Sequence, residues 1–424
     1  MLEEILDIRN VYKALKSVEA NKGAGGVDGM QTDELRQYLK AHWHKLRESI
    51  LNGSYRPSAV LKVEIGKAGG GKRMLGIPTV TDRLLQQSIA QWLSPRYEEE
   101  FSMYSYGFRP KRNAHQAVLQ AQAFLQEGKT WIVELDLEKF FDKVNHDKLM
   151  SLLEKKISDK RTLQLIRKYL TSGIMEGGMV SPRSKGTPQG SPLSPLLSNV
   201  MLNELDKELQ QRGHSFVRYA DDCSIYVRSE KAANRTNASI TEYIETKLKL
   251  KVNRDKTQVN RPTASSLLGF SFYKSESKWE IRISSKSIKR IKEKIKAKTK
   301  RSDPSNTKSK ITQLDEMIRG WVNYFVIAKG KRVMQKLDEM LRIRLRMCEW
   351  KNWKKIKTRI KKLIELGVNK YKSYEWGNSS LGYQRISHSP VLCTTLNNKY
   401  WQAKGYIGFT NYYYWKTEHQ NKLF

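Results

Sequence analysis

Cysteine is nearly absent from the sequence. Three occur in 424 residues, Cys223, Cys348 and Cys393, and no two stand in a CxxC spacing. That argues against a zinc ribbon or a disulfide framework, and makes a reducing, cytoplasmic home the expectation. No run of about 18 apolar residues occurs, so neither a membrane span nor a membrane partner is expected. The start, Met1 to Asp7, is acidic, unlike a secretory leader. Elsewhere acid is scarce. Forty-three Asp and Glu face 78 Lys and Arg, a formal net charge of +35. Solubility needs far less than that, whereas long-range attraction to a polyanion follows from it directly. Apolar residues are not scarce. At 39% hydrophobic residues the chain can fill real cores, which excludes a disordered basic tail. The length accommodates two or three domains.

The charge is uneven. From Ser284 to Phe424 there are 33 basic and 10 acidic residues, with six of the ten tryptophans. Lysines can meet phosphates while interleaved rings stack on unpaired bases, and Lys351, Lys354, Lys355 and Arg359 are the densest candidates for RNA contact. Trp321 and Trp350 fall inside helical patterns and read as core, while Tyr412 to Trp415 could be core or contact. Val333, Leu337, Leu341 and Leu345 recur every four residues and predict one buried helix face. Pro304 marks a loop. Composition thus divides the chain into a mixed α/β part over 1–283 and a basic helical part over 284–424.

The sharpest feature is acidic. Phe216 to Val227 places two β-rich runs around Ala220-Asp221-Asp222, the profile of a hairpin. Adjacent aspartates at a turn repel each other, and a divalent cation would relieve them. A surface turn would also favour aspartate. A second run, Trp131 to Leu137, reads as a strand ending at Asp136, and a strand-end acid can meet a hairpin-turn pair across a sheet. Three such carboxylates could hold two metals about 4 Å apart.

At these residues the chain resembles a bacterial group II intron-encoded reverse transcriptase. Tyr219-Ala220-Asp221-Asp222, Asp136 with Phe140-Phe141-Asp142, Thr187 to Pro195, Leu248 to Thr257, Leu268-Gly269-Phe270 and Tyr106 to His115 match that family's motifs, in its order. The resemblance implies a right-hand polymerase of α/β class. Fingers and palm, with an antiparallel sheet bearing the acidic hairpin, would precede an all-helical thumb and maturase domain. It implies Asp136, Asp221 and Asp222 as catalytic, and these with Leu137 as ligands of two Mg²⁺ ions, Mn²⁺ being a possible substitute. Lys67, Arg73, Phe141, Gln189 and Lys256 would hold the incoming nucleotide, with Phe141 as the gate against a 2′-hydroxyl and Phe140 in the core. Opposite strand faces would separate those two rings. Leu268, Gly269 and Phe270 would grip the primer. Gly25 and Gly26 would lie in a lid over the template, and Arg109 and Arg112 would touch its phosphates or pin the fingers. The implied partners are an RNA template, a DNA or RNA primer, deoxynucleoside triphosphates and a group II intron RNA. The chain resembles the compact members without an endonuclease. A defence-associated or domesticated enzyme of the same chemistry, a non-polymerising splicing cofactor and an RNA-copying RNA polymerase are the rivals. Three clustered acids disfavour the cofactor, and Phe141 disfavours the RNA polymerase.

Overall fold

The structure, a computed structural model, describes residues 1–66, 71–303 and 305–420. The chain divides into two compact units, Met1–Ser265 and Ser266–Phe424. The strands of the first are β1 (Val60–Gly66), β2 (Lys72–Ile77), β3 (Trp131–Leu135), β4 (Ile174–Glu176), β5 (Met179–Ser181), β6 (Ser215–Tyr219), β7 (Asp222–Val227) and β8 (Gln258–Asn260). They form two four-stranded sheets, ordered β2-β1-β4-β5 and β6-β7-β3-β8. The second sheet is antiparallel throughout.

In β3 the run Trp-Ile-Val-Glu-Leu is rich in residues that suit a pleated, buried surface, and Ile132 and Val133 are fully buried between β7 and β8. Helices Ala114–Gln126 and Glu230–Thr246 pack on this sheet. Their starts are local. Asn113 and Gln116 close a reciprocal capping box, and Ser229 accepts from the Ala232 amide, each satisfying backbone donors that a helix start leaves bare. Register then sets the site. Leu135 lies opposite Cys223 and Tyr219 opposite Asp222, so the residue after β3, Asp136, arrives beside Asp222. The turn joining β6 to β7 is only Ala220-Asp221, and Ala220 takes φ 57°, a conformation usually left to glycine.

Arg218 holds this turn. Its side chain and that of Asp206, on helix Ser194–Gln211, are both fully buried. Arg218 Nε and Nη2 donate to the Asp206 carboxylate at 2.7 and 2.6 Å, and Nη1 donates to Asn199 Oδ1 and to the Ala220 carbonyl. Asn199 in turn donates to the Gly107 carbonyl. The loop around Gly107 is laced to β6 by Tyr106 N to Arg218 O and Arg218 N to Tyr104 O. A Cβ at Gly107 would lie 2.2 Å from the Ala220 nitrogen, so only glycine fits against the turn.

The second unit opens with a hairpin of β9 (Phe270–Ser275) and β10 (Lys278–Ile283), and continues as helices. In helix Lys331–Asn352 the buried stripe is Met334, Leu337, Leu341 and Leu345, with Val333 only half-buried. A strict four-residue repeat drifts by about 40° per step on a 3.6-residue helix, so its far end rotates off the core. Trp350 is buried, Trp321 packs tilted against Phe325 and edge-on against Phe409, Tyr412 is buried and Trp415 is exposed. Asp338, buried on the same helix, accepts from the Tyr406 hydroxyl at 2.6 Å and from the Phe409 and Thr410 amides, both at 2.8 Å. One carboxylate thereby caps the start of helix Phe409–Gln420. Among the described residues no helix is long and apolar enough to cross a membrane.

Removing one partner of a fully buried pair strands the other charge. Arg218→Met is expected to cost about 3–5 kcal/mol of stability in urea denaturation. Arg218→Met with Asp206→Leu should regain most of that loss. A double variant no more stable than the single one would mean that the pair does not carry the turn.

Candidate active site

A cavity of about 910 Å³ in the first unit is lined by Asp136, Leu137, Phe141, Gln189, Asp221 and Lys256, among others. Residues more than a hundred positions apart meet there. Asp136 is fixed at its backbone, accepting at its carbonyl from the Asn253 amide and donating its own amide to the Thr257 hydroxyl. Asp222 presents surface to solvent, yet it sits in enough surrounding protein to be desolvated. That desolvation, with the negative charges of Asp221, Asp136 and Glu134, pushes its carboxyl up from an ordinary 3.8 to about 6. Among the described residues, no three His, Cys, Asp or Glu side chains approach closely enough to share a metal ion. The donor set is all hard oxygen, which suits Mg²⁺.

Phe140 and Phe141 form part of a short helical turn, Phe140–Lys143, not a strand, so alternation does not separate them. Both are buried and pack edge to face. Phe141 nonetheless lines this cavity and a neighbouring one of about 500 Å³, as does Gln189. Lys256 is exposed at the rim and makes no ion pair among the described residues. Lys67 and the side chain of Arg73 lie outside the described residues. Gly26 packs so closely on the Thr79 backbone that a Cβ would come within 2.6 Å, and Gly25 is held as tightly by the Met30 carbonyl and Gln31. The loop's glycines thus serve its seat on the start of helix Val80–Glu98, which Thr79 caps.

Of the two roles open to Arg109, its contacts are those of a structural residue. Arg109 is buried, paired with Glu98 at 2.7 Å and donating to the Ser102 and Ser105 carbonyls, so it pins its loop and cannot reach a template phosphate. Arg112 lies over the Tyr106 ring and donates to the Met103 carbonyl. In the second unit, Leu268 and Gly269 are consecutive left-handed residues, and their carbonyls accept from Tyr324 and from Ser284 and Ser287. Phe270 packs against Tyr324 and Phe325. Lys354 and Lys355 are exposed, whereas Lys351 donates to the Arg301 carbonyl and Arg359 is spent on Trp353 and the Trp350 ring.

Residues 65–272 match the family model "Reverse transcriptase (RNA-dependent DNA polymerase)", and Protein YkfC of Escherichia coli (strain K12) is 34% identical over 287 residues, 58% of this chain and 75% of that protein. The chain belongs to the reverse transcriptase family. Residues 288–365 match "Group II intron, maturase-specific domain", which makes it a reverse transcriptase of the group II intron-encoded kind. The group II intron-encoded protein LtrA of Lactococcus lactis subsp. cremoris is 38% identical over 208 residues, 49% of this chain but only 34% of LtrA. A solved telomerase from Candida albicans with an RNA fragment covers 77% of this chain and 65% of its own, at 13% identity and a TM-score of 0.43, too loose a likeness to argue from.

Three further residues stand at or beside these cavities. Glu134 stands two positions before Asp136 on the same strand and accepts from Asn260 and Ser265; the two-residue strand period points to it. Arg83 and Gln87 line the smaller cavity, four apart on one helix.

A carboxyl raised by its fold costs stability once ionised. For Asp222 the cost is absent below about pH 4, grows as pH rises from 3.8 to about 6, and is constant above. In metal-free buffer Asp222→Asn should therefore be more stable than the native chain above pH 6, with the gain gone at pH 4. Urea denaturation across that range is the check, and a pH-independent difference would detach Asp222 from the other acids.

Proposed function

We propose that this chain is an RNA-directed DNA polymerase of right-hand architecture, in which Asp136, Asp221 and Asp222 carry the chemistry and the basic second unit binds intron RNA to assist splicing and mobility. The observation that supports this best is the strand register that brings Asp136 beside Asp222, with Asp136 and Asp221 lining one cavity together with Phe141 and Gln189. In this reading residues 1–283 are fingers and palm, and 284–424 are thumb and maturase region. Asp136, Asp221 and Asp222, with the Leu137 backbone, are the residues that would hold two Mg²⁺ ions, and their carboxylates would have to draw closer than they stand here to share one. Bound there, such ions would supply activation of a primer 3′-hydroxyl and stabilisation of the leaving pyrophosphate. The 3′-oxygen forms its bond to the α-phosphorus of a deoxynucleoside triphosphate as the bond to pyrophosphate breaks. Phe141 places its ring against the nucleotide's sugar, Gln189 contacts the nucleotide, and Lys256 stands at the rim, able to give a proton to pyrophosphate. Lys67 and Arg73 would clasp the triphosphate, and Leu268 to Phe270 would grip the primer.

RNA binding rests on different groups. Lys354, Lys355, Lys357, Lys361 and Lys362 are exposed, with Tyr371 and Tyr374 exposed beside them in sequence. Tyrosines of that kind suit unpaired bases, and the lysines suit phosphate.

Primer extension on an RNA template with Mg²⁺ and deoxynucleotides tests the reading. The native chain should extend; Asp222→Asn should lose most activity and keep its RNA affinity. Neutralising the five exposed lysines should lower the log–log salt slope of RNA binding by about 0.7–0.9 per true phosphate contact, while extension survives at saturating substrate. Loss of RNA affinity in step with activity in Asp222→Asn would break the division.

The gate makes a separate prediction. Phe141→Ala should raise ribonucleotide use relative to deoxynucleotide use at least tenfold, about 1.4 kcal/mol of discrimination. Because the ring is also core, the variant should lose about 3–5 kcal/mol of stability as well. Destabilisation with an unchanged nucleotide ratio would leave Phe141 a packing residue only.

A further inference from the structure

Three cavities in the first unit share walls in sequence. The one holding the acids shares Phe141 and Gln189 with the 500 Å³ cavity, and that one shares Gln87, Phe108, Pro192 and Pro195 with a third of about 930 Å³. Phe108 is the aromatic ring on the wall between the second and third. It is 52% exposed, which is unusual for a phenylalanine on a cavity wall. Its backbone takes φ 59°, a left-handed conformation that a bulky side chain rarely adopts. Nothing in the core needs the ring there, so packing does not explain the strain. Strain of this kind persists only where surrounding structure imposes it. The imposing structure is its neighbour Gly107, seated on the Ala220 nitrogen and held by Asn199.

The surroundings favour a nucleic acid strand. The middle cavity is lined by the Arg83 guanidinium and by no carboxylate. Arg83 Nε is buried with no hydrogen-bond partner among the described residues. In the outer cavity Lys13, Lys111 and Arg112 face Glu98 and Glu99, and Glu98 is already neutralised by Arg109.

We infer that Phe108 is a stacking platform for an unpaired template base, the one next to the base being copied. This rests on the polymerase reading above, and names the residue that orders the template ahead of the site. Phe141 and Gln189 line both the acidic cavity and the middle one, so a base paired to a nucleotide held in the first would reach into the second, which Phe108 also lines. Base–aromatic stacking tolerates any base, as a template reader requires.

The test uses the full chain with an RNA template and DNA primer, intact or abasic at the template position just beyond the one copied. For the wild type, the abasic template should weaken template affinity about five- to hundredfold. Phe108→Ala should show that loss on the intact template and no further loss on the abasic one, and Phe108→Trp should restore it. Phe108→Gly frees the φ 59° backbone, so it should melt no lower than the wild type while binding template as weakly as Phe108→Ala. An equal abasic penalty in wild type and Phe108→Ala, or a markedly lower melting temperature for Phe108→Gly, overturns the proposal. A wild type unable to extend even the intact template overturns the polymerase reading, and the stacking role with it.

Discussion

A guanidinium sealed from water is the constraint on which the site depends. Arg218 spends its fork on Asp206, Asn199 and the Ala220 carbonyl, so a helix, a strand and a two-residue turn are referred to one planar group. Such a pair contributes little net stability, because desolvating both charges offsets their attraction. What it supplies is position. Asp221 and Asp222 repel each other and Asp136, and an unbraced turn would open to relieve that. The buried fork opposes the opening, and Gly107 blocks the other direction by contact with the turn's own backbone. Electrostatic strain at the acids is thus balanced by bonds two residues away.

Much of this was legible in the sequence, because the motifs are local. The β-rich runs about Ala220, the strand ending at Asp136 and the basic helical region from Ser284 all announce themselves through residue type and period. One reading failed, and another was left open between two roles. Phe140 and Phe141 follow a strand closely, and an alternation argument carried past its end met a helical turn instead. Arg109 stands in a motif dense with cations, yet Glu98, eleven positions earlier, claims it. Neither partner identity nor burial is written in local spacing. Arg218 lies inside the most informative stretch of the chain and still reads as an ordinary strand residue, because its importance comes from Asp206 on a separate helix.

The same lesson applies to the charge. A formal excess of +35 describes the chain, but several arginines never face a ligand. Arg344 binds Thr299, Arg346 is buried against the Leu396 and Ser387 carbonyls, and Arg359 covers Trp350. Arginine's planar donor fork makes it the residue that ties helices together, whereas lysine, a solvated point charge on a flexible stem, stays outside. The exposed cations of Ile356–Glu365 and its flanks are mostly lysine, in keeping with that division of labour.

Asp338 sets an order of events during synthesis. Its carboxylate is made 71 residues before the Phe409 amide that it binds. Until that amide and its neighbour emerge, the carboxylate on helix Lys331–Asn352 has only water in place of the donors it accepts from in the folded unit. Packing around Leu337 and Leu341 therefore cannot close over Asp338 without leaving its carboxylate short of donors until Phe409 and Thr410 have been made.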